Sequence, residues 1–237
     1  MIRVILFGAC GRMGKIAAEE ICSQRDLTLI VGVERSDYPE LGLMQGKYPI
    51  LTDGEELPES DVWLDFSLAG PAVVHARLAA EQGKALVIAA TGFSSTEEEE
   101  IHWQAKRCPI MIAPNLSAGV GTLENVAVTA TRLLPEGFEA VITELHHKTK
   151  KDAPSGTARR IADTMAKYGT RPEIHSVRAG GLVGEHRIHF IGAEEELILI
   201  HRAWSRRAFS SGIPRALRFI VRQPAGLYSH QDIYGLD

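Results

Sequence analysis

Short, nearly unbroken apolar runs recur through the first half of the chain: IRVILF (2–7), LTLIVGV (27–33), DVWLDF (61–66), ALVIAA (85–90) and IMIAPN (110–115). Runs of this length without polar alternation predict strands buried on both faces, as in a parallel sheet. Between several of them the pattern turns helical, over 13–23, 71–82 and 96–106. Pro71 suits a first helical turn, where its fixed φ matches and its missing N–H leaves nothing unsatisfied. Ser95 and Glu98 have capping-box spacing, and the acidic run 97–100 suits the positive end of the helix dipole. Strand–helix alternation of this kind predicts a doubly wound α/β sheet.

The pattern changes after Asn115. A helix is expected over 121–134, a strand over 139–145 and a helix over 156–168. HSVRAGG (175–181), HRIHFIG (186–192) and ELILIHRA (196–203) then read as strands separated by glycines and by an acidic hairpin turn at 194–196, which suggests antiparallel pairing. The expected organisation is therefore α/β followed by α+β, with a boundary near Asn115. Periodicity leaves open which part receives the helix over 213–223. His75 and His102 read as helix-surface residues, Trp63 and Trp103 as packing residues, and Glu185 and His186 carry no role that the pattern supplies.

Composition narrows the function classes. A 237-residue chain with 45% hydrophobic and 24% charged residues is ordinary for a globular protein large enough to bury a core. Its formal charge of −4 gives no general reason to expect nucleic acid or an anionic membrane as partner, so anion recognition must be local. Three cysteines (Cys10, Cys22, Cys108) without a C-x-x-C pair suit reduced thiols and a cytoplasmic location. No apolar run approaches the roughly 18 residues of a membrane span.

Two constellations carry chemistry. ILFGACGRMGKIAAEE places Gly8, Gly11 and Gly14 where the first strand becomes the first helix. Glycines there permit a tight turn and let backbone N–H groups approach a pyrophosphate at the helix N-terminus. Glu34 ends the second strand, where an acid binds ribose hydroxyls, and Arg35 could pair with a 2′-phosphate. NADH and NADPH are both chemically suited. Arg12 would be drawn to the pyrophosphate, and the strand ends Ala89, Ala90, Thr91 and Ala113, Pro114, Asn115, Leu116 should line the same crevice.

The second constellation is ELHHKTKKDAPSGTA (144–158), with two histidines and three lysines before a helix start. Were the strand to stay extended, His146, Lys148 and Lys150 would share one face and His147, Thr149 and Lys151 the other. His146 and Lys150 would then stand about 13 Å apart. Both reach one small molecule only if the chain bends, for which the turn at 152–155 is the natural place. Neighbouring histidines on opposite faces are a poor metal pair, so no metal is expected. Ser155 is a natural N-cap, and free N–H groups of Ser155, Gly156 and Thr157 would seat a carboxylate. Cations and a helix N-terminus thus converge on one anion, or on two carboxylates of one molecule.

These residues together resemble the 4-hydroxy-tetrahydrodipicolinate (dihydrodipicolinate) reductase family, with its E-x-H-H-x-x-K-x-D-x-P-S-G-T core. GACGRMG, ATGF, APNLSAGVG, RAGGLVGEH and RAWSRRAFSSG follow in the family's order, so the resemblance spans the chain. It implies NADH- or NADPH-dependent reduction of the cyclic dicarboxylate in the diaminopimelate route to lysine. It assigns His146 as proton donor and Lys150 as second catalytic cation. His147, Gly156 and Thr157 become substrate-carboxylate contacts, beside the Ser155 already read from the helix start. Gly8, Ala9, Cys10, Gly11, Arg12, Met13, Glu34, Arg35 and the two strand ends become cofactor contacts. It also implies a Rossmann-type domain over 1–115, rejoined by 207–237, and a substrate and oligomerisation domain over 116–206 whose open mixed sheet builds a homotetramer. Ala89, Ala90 and Leu116 depart from the family's usual residues beside the nicotinamide. Two other classes stay open: a dehydrogenase of another small dicarboxylate, or a non-catalytic dinucleotide-binding regulator.

Overall fold

The computed structural model describes residues 1–38, 44–45, 48–52 and 54–235. The chain divides into two compact units, Met1–Leu116 with Phe209–Gly235, and Ser117–Ala208. In chain order the first unit supplies β1 (Ile2–Phe7), α1 (Arg12–Cys22), β2 (Leu27–Glu34), β3 (Met44–Gln45), β4 (Tyr48–Thr52), β5 (Val62–Asp65), α2 (Ala69–Gln82), β6 (Ala85–Ile88), α3 (Ser95–Gln104) and β7 (Pro109–Ile112). The second supplies α4 (Ala118–Leu133), β8 (Glu139–His146), α5 (Gly156–Lys167), β9 (Glu173–Arg178), β10 (Gly184–Ile191) and β11 (Glu196–Ala203). The chain then returns to the first unit with α6 (Ile213–Ile220) and β12 (Gly226–Ser229).

The first unit's sheet runs β12-β7-β6-β5-β1-β2-β4-β3, parallel except for the edge pair β3/β4. Alternate residues of β1 explain why its sequence is apolar from Val4 to Phe7. Val4 and Leu6 pack with Ala17, Ala18 and Ile21 of α1 and Ile213, Leu217 and Ile220 of α6. Ile5 and Phe7 pack on the other face with Ala72, Ala76 and Ala79 of α2 and Ile101 of α3. Strand order reverses beside β1, with β2 on one side and β5 on the other, which opens a crevice at the carboxyl ends of these strands.

Several expectations need correction. The capping box belongs to Ser94 and Glu97, one residue earlier than read: the Glu97 N–H donates to Ser94 Oγ at 3.4 Å and the Ser94 N–H to Glu97 Oε2 at 2.7 Å. His75 is not on the surface. It lies on the sheet-facing stripe of α2 with Ala72, Ala76 and Ala79, its ring stacked on Phe7 at 3.9 Å and its Nδ1 2.6 Å from buried Asp65. Trp63 is fully buried, but Trp103 is 59% exposed under the Lys106 ammonium, a surface contact and not core packing. Strands β4 and β12 were not foreseen, being short, with Pro49 inside β4 and Gly226 opening β12.

The second unit's sheet runs β11-β10-β8-β9. β10 pairs antiparallel with both β8 and β11, whereas β9 lies parallel to β8 after the α5 crossover. The sheet is therefore mixed, as expected: β9, β10 and β11 alternate in direction, but β9 pairs with β8 and not with β10. Helices α4 and α5 cover one face through Leu123, Ala127, Ile161 and Met165, packed on Ile142, Ile188 and Phe190. The opposite face presents Val177, Ile198 and Ile200, the last 56% exposed.

The β1–α1 turn depends on absent side chains. A Cβ at Gly14 would overlap the Gly8 carbonyl oxygen and stand 2.8 Å from the Ala9 carbonyl carbon. Both obstacles are backbone, so Gly14→Ala should destabilise the protein by about 1–3 kcal/mol in urea unfolding. An unchanged midpoint would show that the turn yields without cost.

Candidate active site

In the first unit, Gly8 turns the chain out of β1 at φ +70°, and a Cβ there would lie 2.7 Å from the Phe66 carbonyl oxygen beyond β5. Glycine is thus required both by conformation and by close approach. The N-cap of α1 is Gly11, which supplies no side-chain acceptor to the first-turn N–H groups. These groups and the helix dipole suit a pyrophosphate.

Beside this turn lies a cleft of about 270 Å³. Gly8, Gly11, Val33, Glu34, Arg35 and Tyr38 form part of its wall, and Phe66, Ser67, Leu68, Pro71 and His75 form another. Glu34 has partners within the turn itself: its Oε2 accepts the Cys10 N–H at 3.1 Å and its Oε1 the Arg35 N–H at 3.4 Å. Tyr38 closes the turn by donating its hydroxyl to the Cys10 carbonyl at 3.3 Å. Arg35 is exposed and paired with Asp37 at 2.9 Å.

Of the expected cofactor residues, Gly8, Gly11, Glu34 and Arg35 line this cleft. Ala9 and Cys10 are buried beneath the turn, while Arg12 and Met13 begin α1 outside the cleft wall. Ala89, Ala90 and Thr91 follow β6, and Ala113, Pro114, Asn115 and Leu116 follow β7, also outside it. The wall after β5 was missed. Strand β5 adjoins β1 at the strand-order reversal, so the crevice rule would have singled out DFSL (65–68) once the order was known.

In the second unit, β8 ends at His146 and the chain turns at once. The Lys150 N–H bonds the His147 carbonyl at 3.1 Å, and the Lys148 N–H bonds the Gly180 carbonyl at 3.2 Å. The chain thus turns at 148–149, between His146 and Lys150, and bends again at 153–154 within the expected 152–155 turn. His147 points elsewhere and meets the Thr149 hydroxyl at 2.7 Å. Lys150 pairs with Asp152 at 2.8 Å, and its charge reaches His146.

His146 is buried, and its Nδ1 bonds Oε2 of Glu144, which is wholly buried. Arg178 from β9 grips the same carboxylate at both oxygens, at 2.8 and 2.6 Å. The Ser155 N–H donates to Glu144 Oε1 at 3.1 Å. Burial alone would raise the Glu144 pKa, but hydrogen bonds from Arg178, Ser176, His146 and Ser155 outweigh it and bring it down to about 2.

Ser155 therefore does not offer a free N–H to a ligand. It caps α5 by accepting the Ala158 N–H at 3.1 Å, and its Oγ meets His186 Nε2 at 3.2 Å. His186 packs its ring against His146, centroids 5.4 Å apart. Burial, then the neighbouring His146 and His201, push its pKa down to about 3, so it is neutral at physiological pH. Gly156 begins α5 exposed, with open space where a Cβ would stand, beside half-buried Thr157.

Glu144, Arg178 and His186 were not singled out in the sequence. Glu144 lies two residues before His146 and so on the same strand face, a signal that was available. Arg178 depends on β9 pairing in parallel with β8, which no local pattern announces. Among the described residues no cluster of three or more metal-ligating side chains occurs, and no helix is long and apolar enough to cross a membrane.

Known proteins match both units. The family model for the N-terminus of dihydrodipicolinate reductase matches residues 2–116, and the model for its C-terminus matches 119–234. The 4-hydroxy-tetrahydrodipicolinate reductase of Syntrophobacter fumaroxidans is 36% identical over 266 aligned positions, covering 100% of both chains. That of Aquifex aeolicus is 36% identical over 264, covering 99% of both. The solved structure of a dipicolinate-bound dihydrodipicolinate reductase from Paenisporosarcina sp. TG-14 shares the fold, with a TM-score of 0.80 over 97% of each chain at 24% identity. By these matches along its whole length, the chain belongs to the dihydrodipicolinate reductase family.

Proposed function

We propose that the protein reduces 4-hydroxy-tetrahydrodipicolinate to tetrahydrodipicolinate with NADH or NADPH, in the diaminopimelate route to lysine. The observation that carries this reading is His146, held at Nδ1 by buried Glu144 beside the exposed start of α5. A buried acid–base residue next to a seat for a carboxylate is what reduction of an anionic ring requires.

The first unit would hold the coenzyme. Its residues fit, because an uncapped helix start and a glycine turn whose side-chain space is closed by backbone leave donors facing the cleft. When bound, the nicotinamide supplies hydride. Gly8, Ala9, Cys10, Gly11, Arg12 and Met13 would seat the pyrophosphate, and Glu34 and Arg35 the adenosine ribose. The ends of β6 and β7 would flank the nicotinamide.

The second unit would hold the dicarboxylate. Gly156 and Thr157 would bind carboxylate through backbone N–H groups, Ser155 would frame that seat, and His147 and Lys150 would add cationic contacts. As hydride enters the ring, a proton must reach the neighbouring atom. His146 would deliver it, and Lys150 would stabilise the negative charge. Overall, substrate, reduced coenzyme and a proton give tetrahydrodipicolinate, oxidised coenzyme and water.

Burial lowers the His146 pKa first; Glu144 opposes that shift, while Lys150 and Arg178 add to it. Bound carboxylates favour the protonated ring, so substrate arrival would charge the acid that the reaction needs.

We further propose a cytoplasmic homotetramer built through the uncovered sheet face bearing Val177, Ile198 and Ile200. Apolar side chains gathered on an uncovered sheet face suit burial against another chain. Light scattering should give four times the 25.9 kDa chain mass, and Ile200→Glu should lower it. A wild-type monomer would refute the assembly.

For catalysis, His146→Gln and Lys150→Ala should each lower kcat by about 10²–10⁴-fold with a smaller effect on KM. Steady-state assay with the authentic substrate and each coenzyme decides this; wild-type turnover in either variant would refute the assignment.

A further inference from the structure

We propose that Glu144 is a positioning residue, which holds a proton on Nδ1 of His146 and so makes Nε2 the edge through which the ring gains and gives its proton. The proposal rests on the reading of His146 as proton donor, and it concerns groups that this reading leaves without a task.

The argument begins with lone pairs. A carboxylate offers about four acceptor sites and, when ionised, no donor. Oε1 of Glu144 receives Arg178 Nη2 at 2.6 Å and the Ser155 N–H at 3.1 Å. Oε2 receives Arg178 Nη1 at 2.8 Å and faces His146 Nδ1. Arg178 is itself fixed, since its Nη2 also donates to the Asp152 carbonyl at 2.7 Å. A carboxylate gripped at both oxygens by a guanidinium and by a backbone N–H stays ionised. An ionised carboxylate can only accept, so the hydrogen between it and the imidazole sits on Nδ1. Neutral His146 then carries its lone pair on Nε2, and protonation occurs there.

The far edge of the ring is left open. Nε2 has no hydrogen-bond partner among the described residues, yet it is not one of the buried polar atoms sealed from solvent. The residue opposite is Gly184, where a Cβ would lie 3.0 Å from Nε2. Any larger residue at 184 would crowd the edge that must meet a substrate.

The charges facing His146 come from every neighbouring element: Glu144 on β8, Arg178 on β9, the uncharged His186 on β10, and Lys150 in the following turn. Glu144 is the one group among them that favours the protonated imidazole; burial and both cations oppose it. Removing its charge therefore lowers the proton affinity of His146. The sign follows: a group that must be protonated to act loses activity as pH rises through its pKa, so the alkaline limb moves to lower pH.

The test pairs kinetics with imidazole nitrogen-15 NMR, the His146 signals being assigned by their loss in His146→Gln. In Glu144→Gln we expect kcat to fall about 10²-fold, KM to change little, and the alkaline limb to move down. The NMR spectrum should change from Nδ1-protonated to a mixture of tautomers. Glu144→Asp, which keeps the charge, should recover part of the loss. Should Glu144→Gln fold poorly, Gly184→Ala leaves the carboxylate cluster intact: kcat should fall while Nδ1 stays protonated.

An unshifted pH profile together with an unchanged tautomer in Glu144→Gln overturns the inference. A wild-type protein without reductase activity, but with a Glu144-dependent Nδ1 proton, refutes the proposed substrate and supports the positioning role.

Discussion

One buried negative charge organises the second unit. Moving a carboxylate out of water costs several kcal/mol unless donors replace its hydration. Glu144, wholly buried, is met by donors from three places in the chain: His146 on its own strand, Arg178 and Ser176 on β9, and the Ser155 amide at the start of α5. Satisfying that charge therefore fixes the end of β8, the parallel placement of β9 and the start of α5 together. Loss of any donor would leave part of the penalty uncompensated, which makes the cluster act as a unit. The basic stretch 146–151 is shaped by the same constraint. Lys150 turns back to Asp152, so the positive charge is held near His146 and not spread along an extended strand.

The first unit rests on the converse arrangement, a helix start whose donors no side-chain cap accepts among the described residues. Gly11 leaves the start of α1 uncapped, and the backbone of Phe66, Gly8 and Ala9 closes the space that side chains at Gly8 and Gly14 would take. Glu34 and Tyr38 brace the turn through the Cys10 backbone, so its shape is set before any ligand arrives. Preorganisation of this kind limits the ordering that binding must impose. His75 belongs to the same support. Stacked on Phe7 and paired with Asp65, it ties α2 to β1 and β5 in the cleft wall.

What could be read from the sequence follows from the range of the interactions. The strands around β1 were legible because each is buried on both faces and leaves an unbroken apolar run. The glycine turn, Glu34 and the Ser155 cap were legible because each acts within a short stretch. Features resting on pairings between distant segments were not: Arg178 reaches Glu144 across 34 positions, and Ser155 meets His186 across 31. Two local misreadings have local causes. A capping box shifted by one residue reflects two adjacent serines, and His75 taken as a surface residue reflects a polar side chain placed on an apolar stripe of alanines.

The central claim is that the buried carboxylate turns one edge of His146 inward and presents the other to a dianionic ring seated at the start of α5. A crystal structure with pyridine-2,6-dicarboxylate, a flat and stable stand-in for that ring, tests it most directly. The account predicts one carboxylate on the Gly156 amide, the ring edge about 3 Å from Nε2 of His146, and Glu144 still holding Nδ1. An analogue bound away from the start of α5, or a His146 ring turned so that Nδ1 faces the ligand, would contradict it.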